Sequence, residues 1–460
     1  MVDLVDLESR RVFHVVAMPY PGRGHINPMI NFCKLLVSRK PDILITFIIT
    51  EEWLAYISTH PKPDAIRIAT VPNVLPSERD RALDFPGYYE AVMTKMEAPF
   101  EQLLDHLEPP VTAIIGDIEL RCAIDLGNRR NIPVAALWTM PATFFSILHH
   151  FHLFAQNQDS PIDLLVETAE NIPGISSSNL AELRAIFRRN DLRVLQLALE
   201  CISKVHKARY LLFTSVYELE AKAIDTLKAT FPFPVYSIGP AIPYLQLEAS
   251  SSGANYSHNS PDYQKWLDCQ PEGSVLYISL GSFLSVSRTQ MDEMVAGLQD
   301  CSVRYLWVAR EEAYRLKEIC SDKGLVLPWC DQLKVLCHPS VGGFWTHCGW
   351  NSTLEAIFAG VPMLTFPLFL DQHSNSRQIV DEWRIGWKVQ EEMREEHLVI
   401  REEISQLVQQ FMDLESSERK GMSRRAKQLK SICHLAIAEG GSSVKNTDAF
   451  IGNILQEICV

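Results

Sequence analysis

Residues 329–372 read WCDQLKVLCHPSVGGFWTHCGWNSTLEAIFAGVPMLTFPLFLDQ. This stretch contains an apolar, β-rich run at residues 341–344, a turn at Gly349 with a helix start just after it, and a second apolar run at residues 363–366. A buried strand followed by a helix and another buried strand is the repeating unit of a parallel sheet that is covered on both faces. The stretch therefore predicts a doubly wound α/β domain.

The same alternation of strand and helix occurs on both sides of a polar segment. Further buried strands are predicted at residues 12–18, 43–49, 111–115, 133–137, 275–280 and 305–308. Residues 249–255, ASSSGAN, cannot bury much apolar surface and are typical of a linker. We predict two doubly wound Rossmann-like α/β domains, at residues 1–244 and 262–442, joined by a linker at residues 245–261 and facing each other across a cleft. Ligands are expected in this cleft, at the carboxyl ends of the strands.

The composition favours a cytoplasmic globular protein. Of the 460 residues, 47% are hydrophobic and 22% are charged, as in ordinary globular domains. The net charge of −13 argues against nucleic acid or an anionic membrane surface as a partner. The 11 cysteines lack paired spacing, which indicates free thiols in a reducing compartment. The sequence shows neither a basic and apolar leader nor a run of about 18 apolar residues, so we expect no signal peptide and no stable membrane insertion.

A glycine-rich loop follows the first predicted strand. Gly22 and Gly24 lie in this loop, and we predict that the next helix has Asn27 as its N-cap and Pro28 as its first residue. The loop half-matches the dinucleotide-binding fingerprint, although Asn27 replaces its third glycine and Glu51 would have to serve as the ribose-binding acid. An NAD(P)-dependent dehydrogenase therefore remains an alternative at this point.

His25 in this loop has two interpretations. It could be a general base at the cleft, kept neutral by the adjacent helix N-terminus, or a turn histidine that bonds to the backbone. Asp117 favours the first interpretation, because it follows a buried strand and is expected at the same sheet edge, where its carboxylate could orient the imidazole. The alternative for Asp117 is the N-cap of the next helix. Since the chain has no Gly-x-Ser-x-Gly segment, the pair favours activation of an acceptor hydroxyl over an acyl-enzyme.

Small and polar residues surround the turn at Gly349. They are His347, Asn351 and Ser352, and Ser282 follows the strand predicted at residues 275–280, whose end is expected at the same sheet edge. The helix start after this turn offers a partial positive charge to a diphosphate. The chain contains no Asp-x-Asp sequence, so we expect no metal ion to clamp that diphosphate. Ser352 and Glu355 also match a capping box, and this interpretation stays open beside the functional one.

The two ends of residues 329–372 suit a base and a sugar. Trp329 is one of nine tryptophans, most of which belong in cores, and its position before the glycine turn makes it a candidate for stacking on a base. Asp371 and Gln372 offer acceptors and an amide donor that suit sugar hydroxyls. Without their context they would be read as a surface turn.

Taken together, these segments resemble the plant UDP-sugar-dependent glycosyltransferases of secondary metabolism, which have the GT-B fold. Residues 329–372 look like the sequence signature of that family over all 44 positions. The similarity extends over nearly the whole chain and includes PGRGHINP at residues 21–28 and IGP at residues 238–240.

The resemblance implies a role for each matching residue. His25 would be the catalytic base and Asp117 its orienting partner. The uracil would be held by Trp329, Cys330 and Gln332, the ribose by Glu355, and the diphosphate by Ser282, His347, Gly349, Asn351 and Ser352. The sugar would be held by Trp350, Asp371 and Gln372. In this family a glutamine at the last position is associated with glucose donors and a histidine with galactose donors. The helix at residues 443–460 would return to the N-terminal domain.

The resemblance predicts an inverting transfer of glucose from UDP-glucose to a hydroxyl of a small hydrophobic acceptor, such as a phenolic, a flavonoid, a hormone or a terpenoid alcohol. UDP-glucose is a co-substrate, and we expect no cofactor, no metal and a monomeric enzyme. The acceptor-pocket candidates are Trp138, Met140, Phe144 and Phe145. For these four residues a plain core role is the alternative.

The chain departs from the family pattern beside the predicted base. After Asp117, where relatives often carry an aromatic residue, it has Arg121 and Cys122, and Glu119 adds a second acid. These departures affect the shape of the acceptor pocket and the electrostatics of the base. They keep open the alternative of a non-catalytic protein that binds a UDP-sugar or a small molecule.

Overall fold

The computed structural model describes residues 12–57, 62–156, 192–247, 262–390 and 398–459. These residues form two parallel sheets with a hydrophobic cluster on each face, which confirms the prediction of two doubly wound α/β units. The predicted linker at residues 245–261 lies almost wholly outside the described residues. The predicted domain boundaries stay predictions.

The first sheet has the strand order β3-β2-β1-β4-β5-β6-β7, and all neighbouring strands are parallel. Its strands are β1 (Phe13–Met18), β2 (Ile43–Thr50), β3 (Ile66–Val71), β4 (Ala113–Asp117), β5 (Val134–Trp138), β6 (Tyr210–Phe213) and β7 (Val235–Ser237). Val15 and Val16 of β1 pack into different hydrophobic clusters, because successive side chains of a strand point to opposite faces. Both faces of this sheet are therefore buried, as the continuous apolar strands predicted.

The second sheet has the order β10-β9-β8-β11-β12-β13 and is also parallel between neighbours. Its strands are β8 (Val275–Ser279), β9 (Arg304–Val308), β10 (Gly324–Leu327), β11 (Val341–Thr346), β12 (Met363–Thr365) and β13 (Gly386–Lys388). The two apolar runs predicted at residues 341–344 and 363–366 thus form the neighbouring strands β11 and β12.

Helices connect the strands and cover the sheets. Those that accompany the first sheet are α1 (Arg23–Arg39), α2 (Glu51–Ile57), α3 (Phe85–Lys95), α4 (Glu97–Leu104), α5 (Cys122–Arg129), α6 (Ala142–Gln156), α7 (Leu192–Lys204) and α8 (Ala221–Thr230). Those that follow in the chain are α9 (Asp262–Asp268), α10 (Arg288–Asp300), α11 (Ala313–Ile319), α12 (Gln332–Leu336), α13 (Trp350–Ala359), α14 (Gln372–Arg377), α15 (Arg401–Phe411), α16 (Ser417–Ile437) and α17 (Ser442–Cys459). Within the described ranges, none of the helices has the length and hydrophobicity needed to cross a membrane.

The last helix, α17, packs against the first sheet's unit. The Phe450 ring lies 6.0 Å from the ring of Phe32 on α1, and Asn453 Nδ2 donates a hydrogen bond of 2.6 Å to the hydroxyl of Tyr236. The C-terminal helix therefore crosses back from the second unit to the first.

Both sheets reverse their winding direction at one point, between β1 and β4 in the first sheet and between β8 and β11 in the second. Doubly wound sheets bind ligands in the crevice outside this point. His25 lies just after β1 and Asp117 is the last residue of β4. Gly281 and His347 lie just after β8 and β11. The chain therefore places its predicted site residues at the switch points of both sheets.

Helix α1 begins at Arg23, so the prediction of Asn27 as its N-cap is wrong. Gly22 is the N-cap, and its carbonyl accepts hydrogen bonds from the N–H groups of His25 and Ile26, at 3.0 and 2.9 Å, which starts the helix earlier. Pro28 is tolerated inside the helix because its missing N–H removes only one bond, the one to the Gly24 carbonyl. His25 consequently lies in the first turn of a helix.

Candidate active site

The imidazole of His25 is oriented by two side chains from neighbouring strand ends. Its Nδ1 atom lies 2.9 Å from Asp117 Oδ2 and 3.0 Å from Thr139 Oγ1. Asp117 is buried at the end of β4, and Thr139 follows β5, so the parallel sheet itself brings both to the first turn of α1. This arrangement fixes the ring and directs its other nitrogen, Nε2, away from Asp117.

Glu119 contacts that second nitrogen. Its Oε2 atom lies 3.3 Å from His25 Nε2, and its Oε1 atom accepts a hydrogen bond of 3.0 Å from the hydroxyl of Tyr89. The backbone N–H of Glu119 donates to Asp117 Oδ1 at 3.0 Å. The imidazole is therefore held between two carboxylates, of which the sequence predicted only one as a partner.

These carboxylates change the protonation of the imidazole. Burial alone would lower the pKa of His25, but the charge and hydrogen bond of Asp117, together with the charge of Glu119, outweigh it and raise that pKa above its ordinary value. Burial raises the pKa of Glu119, an effect that the positive charge of His25 opposes. A raised pKa makes the imidazole a stronger proton acceptor than free histidine.

The second unit meets the first close to His25. Asn351 Nδ2, on α13, donates a hydrogen bond of 2.8 Å to the carbonyl of Gly24. Asp371 is 8% exposed and interacts electrostatically with Glu119 and His25. The predicted base and a predicted sugar-binding residue thus face each other across one crevice.

Aromatic contacts also join the two units beside this crevice. The Phe85 ring on α3 lies 5.1 Å from the rings of Phe283 and Phe369 of the second unit. The guanidinium of Arg81 stacks on Phe283 at 4.3 Å. These contacts add apolar and cation–π interactions to the hydrogen bond between the two units.

His347 occupies a space that two glycines leave open. A Cβ atom on Gly281 or on Gly349 would lie 2.5 Å from His347 Nε2, and Gly281 has a φ of +87°, which other residues rarely adopt. Burial and the charge of Arg310 lower the pKa of His347 to about 4. The imidazole is therefore neutral near pH 7.

Helix α13 begins at Trp350 with Gly349 as its N-cap, so Ser352 is its third residue and the capping-box interpretation of Ser352 and Glu355 is wrong. The N-cap residue has no side-chain oxygen, and no side chain caps this helix end. Because the first N–H groups of a helix have no partner within it, they could bind an anion at this turn.

Gln332 joins Ser352 and Glu355 into one hydrogen-bonded cluster. Its Nε2 atom donates to Glu355 Oε2 at 2.6 Å and to Ser352 Oγ at 2.9 Å, while its Oε1 atom accepts from the hydroxyl of Tyr277 at 3.1 Å. Burial raises the pKa of Glu355 to about 7, although the bond from Gln332 opposes this shift. The cluster presents carboxylate and hydroxyl oxygens that could accept bonds from ribose hydroxyls.

The side chains at the start of residues 329–372 point in different directions. Trp329 is 59% exposed, unlike a core tryptophan, and its ring is available for stacking. Cys330 is buried, and its sulfur lies 3.5 Å from the hydroxyl of Tyr277. Cys330 could therefore contact a base only through its backbone.

The three predicted sugar-binding residues differ in what they can offer. Burial raises the pKa of Asp371 to about 7, an effect that a hydrogen bond of 2.7 Å from Asn375 Nδ2 opposes. The Gln372 side-chain oxygen accepts hydrogen bonds from the backbone N–H groups of Leu368 and Phe369, at 2.8 and 3.0 Å. The side chain of Trp350 is buried, so Trp350 could bind a sugar only through its backbone.

The four acceptor-pocket candidates lie at the end of β5 and the start of α6. Trp138 and Phe145 are fully enclosed in the core, with ring centroids 5.4 Å apart, and Phe144 is also buried. Met140 is only partly buried. The core alternative therefore fits Trp138 and Phe145, and the pocket assignment of the set stays a prediction.

The structure also identifies residues that sequence reasoning missed. Arg310 donates hydrogen bonds to the carbonyls of Ser282 and Leu284, at 2.8 and 2.9 Å, and it lies close enough to His347 to lower its pKa. Arg23, at the start of α1, and Arg310 interact through their like charges. Two guanidinium groups therefore lie near the predicted diphosphate site, a feature that no spacing in the sequence indicated.

A metal site is geometrically possible at the base. His25, Asp117 and Glu119 each offer one ligand atom, and these atoms lie within 4.8 Å of one another. In this structure the same atoms are engaged in the contacts described above, at 2.9 and 3.3 Å.

Comparison with known sequences identifies close relatives. UDP-glycosyltransferase 87A1 of Arabidopsis thaliana is 50% identical over 442 residues, which cover 95% of this chain and 99% of the relative. The 7-deoxyloganetin glucosyltransferase of Catharanthus roseus is 30% identical and covers 95% of this chain. The family model described as UDP-glucoronosyl and UDP-glucosyl transferase matches residues 200–407.

Solved structures show the same architecture. Os79 from O. sativa, in complex with UDP, has a TM-score of 0.80 and 25% identity over 96% of this chain and all of that chain. UGT71G1 of Medicago truncatula, complexed with UDP-glucose, has a TM-score of 0.79 and 25% identity over 96% of this chain and 98% of that chain. These matches confirm the GT-B fold. With relatives this similar over nearly its full length, the chain belongs to the plant UDP-glycosyltransferase family and is a UDP-glycosyltransferase.

Proposed function

We propose that this enzyme transfers glucose from UDP-glucose to a hydroxyl group of a small hydrophobic acceptor, with inversion at the anomeric carbon. The observation that carries the proposal is the position of His25, paired with Asp117 and facing Asp371 across the crevice. A base on one wall and sugar-binding groups on the other would let the acceptor attack the sugar from the side opposite the departing UDP.

The reaction is a direct displacement in which His25 acts as the base. The acceptor oxygen forms a bond to the anomeric carbon while the bond from that carbon to the UDP oxygen breaks. The proton of the acceptor hydroxyl passes to His25, and Asp117 stabilises the resulting imidazolium. General-base assistance of this kind is typically worth about 10²–10⁴-fold in rate.

The negative charge that develops on UDP could be stabilised without a metal ion. We expect the diphosphate at the N-terminus of α13, which carries Asn351 and Ser352. The charge of Arg310 acts on His347 beside this turn, and that of Arg23 acts on Arg310, which supports a role for both guanidinium groups. Preorganised donors of this kind stabilise charge that forms in a transition state.

Two observations support the donor and acceptor classes. Gln372 at the end of residues 329–372 supports glucose as the donor sugar, and one relative is described as a 7-deoxyloganetin glucosyltransferase, which supports a small alcohol as the acceptor. Ten of the 11 cysteines, all except Cys459, are free thiols in the structure, which supports a cytoplasmic location. We propose a role in plant secondary metabolism, because the relatives named above are plant glycosyltransferases.

The test is substitution of the proposed base. His25→Ala should reduce transfer by at least about 10²-fold, because general-base assistance is lost, while UDP binding measured by calorimetry stays within about twofold. The matched control is His338→Ala. His338 precedes β11, at the amino ends of the strands and therefore opposite the site, and it pairs with Asp268 at 3.1 Å. Transfer by His25→Ala at the wild-type rate would exclude the base assignment. Binding of UDP-glucose without its consumption, and without a glucosylated product for any of a panel of phenols and alcohols, would instead support the binding-protein alternative.

A further inference from the structure

Both nitrogens of the His25 ring already have polar neighbours. Asp117 and Thr139 contact Nδ1, and Glu119 contacts Nε2 at 3.3 Å. In the proposed mechanism Nε2 is the atom that takes the proton from the acceptor. The acceptor hydroxyl must therefore enter at the position where Glu119 now meets the ring.

Glu119 cannot move far away from an entering acceptor. Its backbone N–H is bonded to Asp117, its side chain accepts the hydrogen bond from Tyr89, and the residue is 8% exposed. Tyr89 is itself buried, with its ring 5.8 Å from that of Tyr20. An acceptor bound at His25 Nε2 is consequently in contact with the Glu119 carboxylate.

When His25 is the neutral base, its Nε2 atom carries no proton and gives this carboxylate no donor. The only other side-chain donor that the described residues give it is the hydroxyl of Tyr89. A buried carboxylate without sufficient donors is costly, so an acceptor that supplies a second donor beside its reacting hydroxyl would satisfy it.

The surroundings of this position are negative. Glu119 interacts electrostatically with Asp117 as well as with His25, and Asp371 approaches from the opposite wall. The positive charge of Arg81 also acts on Glu119, but Arg81 is paired with Glu78 at 3.1 Å. A carboxylate on the acceptor, next to the reacting hydroxyl, would meet a like charge there.

We propose that Glu119 is a specificity-determining residue of the acceptor site, which favours catechols and vicinal diols and disfavours acceptors that carry a carboxylate beside the reacting hydroxyl. One hydroxyl of such a diol donates to His25 Nε2 and is glucosylated. The neighbouring hydroxyl donates to Glu119 Oε2. This inference rests on the proposed function, because it assumes that His25 activates the acceptor.

Three small acceptors that differ at a single position test the proposal. Phenol, catechol and salicylate carry hydrogen, a hydroxyl and a carboxylate beside the same phenolic group. With UDP-glucose as the donor, the kcat/KM for glucosylation of that group should be higher for catechol than for salicylate by about 10- to 100-fold, as expected for a like-charge contact in a partly buried site. Phenol should lie between them.

Glu119→Gln should reduce the ratio of catechol to salicylate by at least about tenfold, since the amide removes the charge and can donate to a carboxylate. The amide oxygen can still accept from Tyr89, so the fold is kept, and unchanged UDP affinity in calorimetry checks this. Glu415→Gln is the control, because Glu415 is an exposed residue just before α16 that pairs with Lys420 at 2.8 Å, and its ratio should equal that of the wild type.

Three outcomes would overturn the proposal. They are a wild-type preference for salicylate, an unchanged ratio in Glu119→Gln, and no transfer to catechol by an enzyme that glucosylates other phenols. A wild-type enzyme that transfers sugar from UDP-glucose to no hydroxyl compound at all would instead overturn the proposed function, and the inference with it.

Discussion

Asn351 donates a hydrogen bond of 2.8 Å to the carbonyl of Gly24, and Pro28 is the reason that this carbonyl is available. In an uninterrupted helix the N–H of residue 28 would bond to the carbonyl of residue 24. Proline has no N–H, so the carbonyl accepts from the other unit instead. A single missing donor in α1 thus creates a contact between the base-bearing helix and the helix that starts at the predicted diphosphate site.

Asn351→Ala should lower kcat/KM for transfer by about tenfold, which corresponds to the loss of one hydrogen bond in the upper part of the usual range. The control is Asn453→Ala, which removes the hydrogen bond of 2.6 Å from the Asn453 side-chain amide to the hydroxyl of Tyr236, away from the crevice. That variant should lose thermal stability and keep its kcat/KM. Equal losses of kcat/KM in both variants would show that the effect of Asn351 is general destabilisation.

The orientation of His25 can be tested on the side of Nδ1. In Asp117→Asn the amide can still accept the backbone bond from Glu119, but it cannot stabilise an imidazolium, so kcat should fall by about 10²–10⁴-fold. Thr139→Val removes a neutral partner of the same nitrogen and should cost less than about tenfold. Steady-state kinetics with a saturating donor separates the two. A Thr139→Val defect as large as that of Asp117→Asn would contradict the assignment of Asp117.

The fold and the outline of the site followed from the sequence because both depend on short-range patterns. Apolar runs with turn residues predicted the strands, such as the run at residues 43–49, which forms β2. Contacts that depend on three-dimensional proximity did not follow. Arg310 reaches the diphosphate region from the end of β9, and no local pattern relates it to His347.

The contact of Glu119 with His25 is another one that local sequence patterns do not predict. The sequence places Glu119 two residues after Asp117 and so predicts a second acid near the base. The contact with Nε2 depends on the turn after β4, which bonds the Glu119 N–H to Asp117 Oδ1 and so returns the side chain to the ring. The start of α1 at Arg23 was missed because the pairing of Asn27 with Pro28 imitates a helix N-terminus.

The pH dependence of transfer should report the raised pKa of His25. The base must be neutral, so kcat/KM should fall tenfold per pH unit as the pH decreases below that pKa, which lies above the ordinary value of about 6.5. The groups that face the ring are Asp117, Glu119, Asp371, Arg81 and Tyr20. Glu119→Gln removes a negative charge and should move the acidic limb to lower pH.

Asp371 also titrates in this range, because burial raises its pKa to about 7. The acidic limb of the pH profile therefore reports the coupled titration of His25 and Asp371 and not of His25 alone. Asp371→Asn should therefore be measured in parallel, and an acidic limb that Glu119→Gln leaves in place would contradict the contact with Nε2.

Trp329 should contribute to nucleotide affinity through its exposed ring. Trp329→Ala should weaken UDP binding by about 1–3 kcal/mol, the usual cost of losing one base-stacking aromatic, whereas Trp329→Phe should lose less. Tyr314→Ala is the control, since Tyr314 is another exposed aromatic residue of the second unit, 82% exposed, on α11. Calorimetric titration with UDP measures all three. Equal affinities for wild type and Trp329→Ala would exclude the stacking role.

Substitutions of Gln372 test the selectivity for the donor sugar, and they distinguish the role of its side-chain oxygen from that of its side-chain nitrogen. Its Oε1 atom is held by the backbone N–H groups of Leu368 and Phe369, which leaves the amide nitrogen as the part that could bind a sugar hydroxyl. Gln372→His should raise the ratio of kcat/KM for UDP-galactose to that for UDP-glucose by about 2- to 10-fold, the range expected when one hydrogen bond is exchanged. Gln372→Glu keeps an acceptor for both backbone groups but lacks the donor, so it should lower glucose transfer without a gain for galactose. A ratio that is the same in wild type and Gln372→His would show that the choice of sugar is made by other residues of the crevice.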